Sequence, residues 1–102
     1  MSLKKQYLKT KPVCKVTFRV PKELGKRADS VQLVGDFNKW DTQKTPMKKL
    51  KNGSFTITLD LPINQEYQFR YLLNQNIWEN DWDADKYIPS GISSSENSVV
   101  VV

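Results

Sequence analysis

The chain has no histidine, one cysteine and four glycines among its 102 residues. Enzymes that run acid–base chemistry near neutral pH commonly use histidine, and the lone Cys14 has no partner base near it in the sequence. A nucleophilic triad is therefore excluded. One cysteine cannot form an internal disulfide, so we expect a reducing, cytoplasmic setting.

Long apolar runs are also missing. No stretch of about 18 apolar residues is present, and the charged N-terminal residues 1–12 lack the apolar segment of a signal peptide. We therefore expect no membrane span and no secretion signal. A glycine-rich loop of the kind that cradles phosphate groups is absent as well.

Alternation between apolar and polar residues is the dominant pattern. It covers residues 13–20 and returns in residues 55–61 and 67–73, while helical periodicity is nearly absent. Turn signals such as Asn52-Gly53 separate these segments at intervals of roughly ten residues. The sequence therefore predicts an all-β fold, an immunoglobulin-like antiparallel β-sandwich of about seven strands.

The length suits one domain, which we place at residues 13–102 behind a basic N-terminal tail over residues 1–12.

Charge is unevenly distributed along the chain. Residues 1–51 carry 14 Lys and Arg against 4 Asp and Glu, and residues 52–102 carry 2 against 7. This asymmetry could indicate a nucleic-acid interface. However, no nucleic-acid-binding motif accompanies it, and the two halves of the chain interleave in a sandwich. We expect no nucleic-acid partner.

Acidic residues alternate in one segment, at Glu79, Asp81, Asp83 and Asp85. Two such carboxylates could serve glycoside hydrolysis, and carboxylates in this spacing could also hold Ca²⁺. A small sandwich leaves little room for a catalytic cleft, and the segment lacks the glycine and the final glutamate of an EF-hand loop. We interpret it as a solvated acidic loop of a non-catalytic protein without metal or cofactor.

Three tryptophans stand in polar contexts. Trp40 follows a Gly-Asp turn, Trp78 follows an Asn-rich turn, and Trp82 lies four residues further on. An exposed indole ring is unfavourable unless a flat partner stacks on it, and the apolar face of a pyranose is such a partner. Amide and basic side chains would bond the sugar hydroxyls. The candidates for that rim are Asn38, Lys39, Arg70 and Asn97.

The alternative for any one tryptophan is a place in the sandwich core. Turn positions favour the surface for Trp40 and Trp78, since phenylalanines already supply bulky core side chains. Core and surface both stay open for Trp82.

A combination of motifs makes the chain similar to a known family. Residues 35–41 read GDFNKWD, and an NGSF hairpin, a YQFRY strand, the segment WENDWDADKY and a terminal ENSVV follow. From about Val13 to Val102 the chain resembles family 48 carbohydrate-binding modules. These are early-set sandwiches at the N-terminus of isoamylase and of glycogen-branching enzymes, and they also form the glycogen-binding domain of the AMP-activated protein kinase beta subunit.

The resemblance implies site residues by matching motif positions. In glycogen-binding members two tryptophans form the sugar platform, and Trp40 and Trp78 stand at their positions. Arg70 matches a basic residue that bonds sugar hydroxyls, Asn97 matches a terminal amide that does the same, and Ser95 adds a hydroxyl. The full set of candidate carbohydrate-binding residues is Trp40, Trp78, Arg70, Asn97, Ser95, Asn38, Lys39 and Trp82.

The leading prediction is non-catalytic binding of α-1,4-glucan, such as glycogen, starch or maltodextrin. The alternative is a protein-interaction or structural module that docks a separate glucan-metabolising enzyme or kinase through edge strands. Exposure of the terminal strand Val99–Val102 would favour the alternative.

Overall fold

The computed structural model describes residues 3–91 and 95–102. Within these residues the chain forms nine strands, one short helix and one 3-10 turn. The strands are β1 Leu3–Tyr7, β2 Val13–Val20, β3 Val31–Gly35, β4 Lys48–Lys49, β5 Phe55–Pro62, β6 Glu66–Leu73, β7 Ile77–Glu79, β8 Lys86–Pro89 and β9 Glu96–Val101. Helix α1 is Lys22–Gly25, and the 3-10 turn is Asp36–Asn38.

The strands form two antiparallel sheets that pack face to face. Sheet A has the order β1-β2-β5-β4, and sheet B has the order β3-β6-β9-β8, with β7 also paired to β6. The prediction of an all-β, early-set antiparallel sandwich is confirmed. The strand number is nine instead of about seven, because β1 and β8 were not predicted. Both are edge strands, whose exposed side chains alternate weakly.

The N-terminal segment is part of the sandwich, which corrects the expected tail. β1 pairs with β2 from Leu3 opposite Phe18 to Tyr7 opposite Cys14, and Leu3 is buried. Lys5 also forms an ion pair of 2.6 Å with Asp85 in the segment before β8. The edge of β2 offers unpaired backbone groups, so a largely polar segment can still be held there as a strand.

The core lies between the two sheets and is built from the alternating positions. Phe18 on sheet A meets Phe69 on sheet B with ring centroids 5.1 Å apart in an edge-to-face arrangement. Cys14 is fully buried in the same core, as its place in the alternating run predicts. Burial of such side chains stabilises the sandwich by roughly 1.5–3 kcal/mol each.

The terminal strand is not an exposed edge, so the exposure that would favour docking through Val99–Val102 is not present. β9 lies between β6 and β8, and Val99 and Val100 are fully buried. In the part of the chain described, no helix is long and apolar enough to cross a membrane.

The outward face of sheet B is covered by side chains of its own. On β6, Gln68, Arg70 and Leu72 point outward, because Phe69 and its alternate neighbours point into the core. Leu72 is buried although it lies outside the core. This outward face therefore carries a second layer of packed side chains, and the candidate site lies there.

Candidate functional site

An open groove of about 430 Å³ lies on the outward face of sheet B. The described residues that line it come from five separate stretches of the chain: Trp40, Gln68, Arg70, Trp78, Ser90, Ser95 and Asn97. Five of the eight predicted site residues are thus brought together. Gln68 and Ser90 were not predicted, although the position of Gln68, two residues before Arg70 in an alternating strand, places both on one face.

Trp40 reaches the groove through a tight turn. Gly35 lies so close to β6 that an added Cβ would stand 2.5 Å from the backbone oxygen of Gln68. After the 3-10 turn, Lys39 and Trp40 adopt left-handed φ values of 58° and 59°. The Trp40 amide donates to the Gly35 carbonyl at 2.9 Å. The chain therefore reverses at once and carries the indole ring back over the sheet.

Asn38 holds this turn and is not at the rim of the groove. It is 5% exposed, and its side-chain oxygen accepts a hydrogen bond from the Gly35 amide at 3.1 Å. Its Nδ2 donates to the Leu33 carbonyl at 2.8 Å and to Thr45 Oγ1 at 2.9 Å. All of its polar capacity is directed inward. Lys39 is exposed and is not among the lining residues.

Asp36 fixes the Trp40 ring to sheet B. The indole Nε1 donates to Asp36 Oδ1 at 2.9 Å, and Asp36 Oδ2 accepts the Gln68 amide at 2.7 Å. One carboxylate therefore joins the turn to the central strand of the groove. Because the ring edge is held, the ring is oriented before any ligand arrives.

Trp78 lies on β7 and is 44% exposed. It stands opposite Leu72 of β6. The turn before β7 has positive φ at both Asn74 and Gln75, 53° and 64°, which is the conformation that a tight hairpin with right-handed twist requires. The turn therefore pairs β7 with β6, and this pairing brings the Trp78 ring to the groove.

Arg70 lies on β6 at the point where the strand paired to one edge of β6 changes from β9 to β7. β3 occupies one edge of β6 opposite residues 69–73, so β9, opposite residues 66–69, and β7, opposite residues 71–73, share the other edge. Arg70 sits between these two pairings. Among the residues described, its guanidinium Nε is buried and has no hydrogen-bond partner.

The polar part of the groove is linked by side-chain hydrogen bonds. Asn97 Nδ2 donates to Gln68 Oε1 at 3.0 Å, and the hydroxyls of Ser90 and Ser95 are 2.6 Å apart. Amide and hydroxyl groups of this kind both donate and accept. The groove therefore offers two rings and a mixed polar wall.

Trp82 belongs to a different part of the surface. It is 58% exposed and borders a shallow crevice with Arg19, Pro21 and Leu24. The groove residues do not include it.

The acidic segment is not simply solvated, which corrects its interpretation. Asp81 is 2% exposed, and Tyr71 donates its hydroxyl to Asp81 Oδ2 at 2.6 Å. Burial, followed by the Asp81 charge, raises the pKa of Tyr71 well above its ordinary value of 10.0. Asp85 is paired with Lys5 instead. In residues 3–91 and 95–102, no group of three potential metal ligands comes together.

These features define a class of protein, a β-sandwich binding module with an open aromatic and polar groove. The carbohydrate-binding module 48 family, described as the isoamylase N-terminal domain, matches residues 14–88. The match covers most of the chain, so the chain belongs to this family. Family membership supports carbohydrate binding by a module that is not itself catalytic. Asn97 and Ser95 lie beyond the matched residues. A comparison with curated proteins finds no match.

Proposed function

We propose that the chain binds α-1,4-glucan in the groove on sheet B. The observation that carries the proposal is the convergence of Trp40, Trp78, Arg70 and Asn97 on one open surface, although they are far apart in sequence. Two indole rings that line one open groove suit the flat faces of successive glucose units. Glycogen, starch and maltodextrin present such units in a chain.

The polar wall supports the same ligand. Glucose hydroxyls project from the ring edge and both donate and accept hydrogen bonds, as do the amides of Gln68 and Asn97. The Arg70 guanidinium supplies donors in a fixed fork. Because hydrogen bonds to the sugar replace hydrogen bonds to water, they fix the orientation of the sugar more than they add to the free energy of binding.

The affinity should be modest. Each ring contributes on the order of 1 kcal/mol beyond the area that it buries. Loss of translational freedom offsets most of the gain in a small, open site, so we expect a Kd between about 1 μM and 1 mM.

The test is a titration of ¹⁵N-labelled protein with maltoheptaose, followed at the three indole N–H signals. We expect the Trp40 and Trp78 signals to shift with one common Kd and the Trp82 signal to stay in place. Cellohexaose, whose linkage is β, is the control ligand and should shift neither. Unmoved Trp40 and Trp78 signals at millimolar maltoheptaose would refute the proposal.

A second candidate function is docking of a separate glucan-metabolising enzyme. Trp82 favours it, because this ring is the most exposed large apolar side chain described and lies outside the groove. A pulldown in excess maltodextrin should return a glucan enzyme with the wild-type chain and lose it with Trp82→Ala. Equal recovery with both would contradict this role.

We also propose a cytoplasmic location. The only cysteine of the chain is buried in the core, where it serves packing and forms no disulfide within the chain.

A further inference from the structure

The groove has a seam between the two strands that carry Trp78 and Asn97. β7 and β9 follow one another along the same edge of β6 and are not paired with each other. β7 is only three residues long, and among the strands described it pairs with β6 alone. Strand pairing therefore relates Trp78 to Asn97 only through β6, and a direct contact across the seam would fix their relative position more tightly.

Asn80, directly after β7, spans this seam. Its Oδ1 accepts hydrogen bonds from the Ser98 amide at 3.0 Å and from the Ser98 hydroxyl at 2.7 Å. Its Nδ2 donates to the Glu96 carbonyl at 2.9 Å. One side-chain amide thus holds the residues on both sides of Asn97, in the way that a neighbouring strand would.

The far side of this contact is anchored in the protein interior. Ser98 is fully buried, and its hydroxyl also accepts the Asp81 amide at 2.8 Å. Asp81 in turn accepts the Tyr71 hydroxyl from β6. A buried and connected polar network is costly to distort, so it holds one arrangement of β7, β6 and β9.

We infer that Asn80 is a positioning residue for the groove, setting the placement of the Trp78 ring against the Asn97 amide. This rests on the proposed glucan function. Asn80 is not among the residues that line the groove, and its amide is committed to β9. Asn80 acts on a ligand only through Trp78 and Asn97, whose relative position it sets. Asn97 is aligned further by its hydrogen bond to Gln68.

The first variant is Asn80→Ala, which removes all three hydrogen bonds. We expect the Kd for maltoheptaose to rise about tenfold, which corresponds to about 1.4 kcal/mol. At saturating sugar the Trp40 indole signal should shift as in the wild type, while the shift of the Trp78 signal should fall by half or more. Asn80→Asp keeps the acceptor for Ser98 and loses the donor to Glu96. Its Kd should therefore lie between that of the wild type and that of Asn80→Ala.

The control for general destabilisation is Val16→Ala, a core change in sheet A, away from the groove. Each variant is assayed at the same interval below its own Tm and is compared with the wild type at that temperature. Val16→Ala should bind as the wild type does. A ligand-free measurement is hydrogen exchange at the Ser98 amide. In Asn80→Ala it should speed up by more than the loss of global stability explains, whereas in Val16→Ala it should speed up by no more than that loss.

The outcomes separate the two proposals. If the wild type does not bind maltoheptaose, the glucan function fails and the role of Asn80 falls with it. If the wild type binds and Asn80→Ala binds equally, only the role of Asn80 is overturned. An equal loss in Val16→Ala, or a uniform loss of the Trp40 and Trp78 shifts, would reduce Asn80 to a general stabilising residue and overturn its positioning role.

Discussion

At the scale of single residues, the candidate site depends on polar side chains that never face a ligand. Asn38 and Asp81 are almost fully buried, and each satisfies backbone groups of the loop that it belongs to. Buried polar groups are tolerated only when they are hydrogen-bonded, so their arrangement is nearly unique. The turn that carries Trp40 is thus held from behind by Asn38.

Asn38→Ala should destabilise the protein by about 2 kcal/mol. The change leaves the Gly35 amide and the Leu33 carbonyl without their partners in a buried place, which costs the desolvation of both. Urea unfolding measures the loss, and the neighbouring exposed Lys39→Ala should stay within about 0.5 kcal/mol of the wild type. Equal stability of the two variants would contradict the structural role given to Asn38.

Tyr71 should make the protein lose stability in alkaline solution. Because burial and the Asp81 charge raise its pKa in the folded state above 10.0, folding favours the protonated phenol. Its contribution is complete below about pH 10 and declines as the pH rises towards the folded-state pKa.

The test compares the wild type with Tyr71→Phe in urea unfolding from about pH 8 to pH 11. Tyr71→Phe should be less stable at the lower pH, since Asp81 loses a donor, and its free energy of unfolding should fall less steeply above pH 10. Tyr67, whose pKa is also raised by burial, titrates in both proteins and cancels from the comparison. Parallel slopes would show that Tyr71 does not drive the decline.

At the scale of elements, the turn from Gly35 to Trp40 matters most, because it converts the end of β3 into a support for an indole ring. The chain approaches β6 so closely there that no side chain fits at residue 35. Such a contact is decided by the neighbouring strand and not by the φ of the glycine, which is extended.

Gly35→Ala should cost about 3 kcal/mol and weaken glucan binding. The new Cβ would stand 2.5 Å from the Gln68 oxygen and 2.8 Å from the Phe69 Cβ, so β6 or the turn must move. Gly91→Ala is the matched control, because apart from its own residue and chain neighbours no atom of residues 3–91 and 95–102 lies within 4 Å of its added Cβ, and its φ of 82° opposes the change. It should cost about 1 kcal/mol. Thermal unfolding and the maltoheptaose titration measure both variants, and equal losses would count against the close-approach argument.

Element boundaries were predicted best where one face of a strand is buried. β2, β5 and β6 alternate because their inner side chains pack between the sheets. β1 and β8 were missed, since an edge strand such as Leu3–Tyr7 is mostly exposed and is held by backbone hydrogen bonds that any sequence can make.

At the scale of the whole molecule, folding separates charge between the sheets. Residues 1–30 and 48–62, which supply sheet A and α1, carry 12 Lys and Arg against 3 Asp and Glu, or +9. Residues 31–47 and 63–102, which supply sheet B and its loops, carry 4 against 8, or −4. The asymmetry along the chain therefore becomes one across the molecule, because only β3 of the first 62 residues joins sheet B.

Glucan binding should be insensitive to salt. The ligand is neutral and the groove lies on sheet B, away from the basic sheet, so screening has little to act on. The Kd from calorimetry should change less than about twofold between roughly 50 mM and 500 mM NaCl, although the Debye length falls severalfold. A strong dependence on salt would indicate an ionic ligand and argue against a neutral glucan.

The sequence by itself determined the period of the strands, the sandwich, and the two tryptophans that lie in or just after a turn, because alternation and turn chemistry are local properties. It also pointed to Arg70 and Asn97 through motif positions. Only the tertiary structure decided that Asn38 and Asp81 face inward, that Trp82 stands apart, and that Asn80 spans the seam between β7 and β9. Whether a polar side chain faces a ligand or a neighbouring strand depends on contacts across long sequence separations, and those contacts exist only once the sheets have formed.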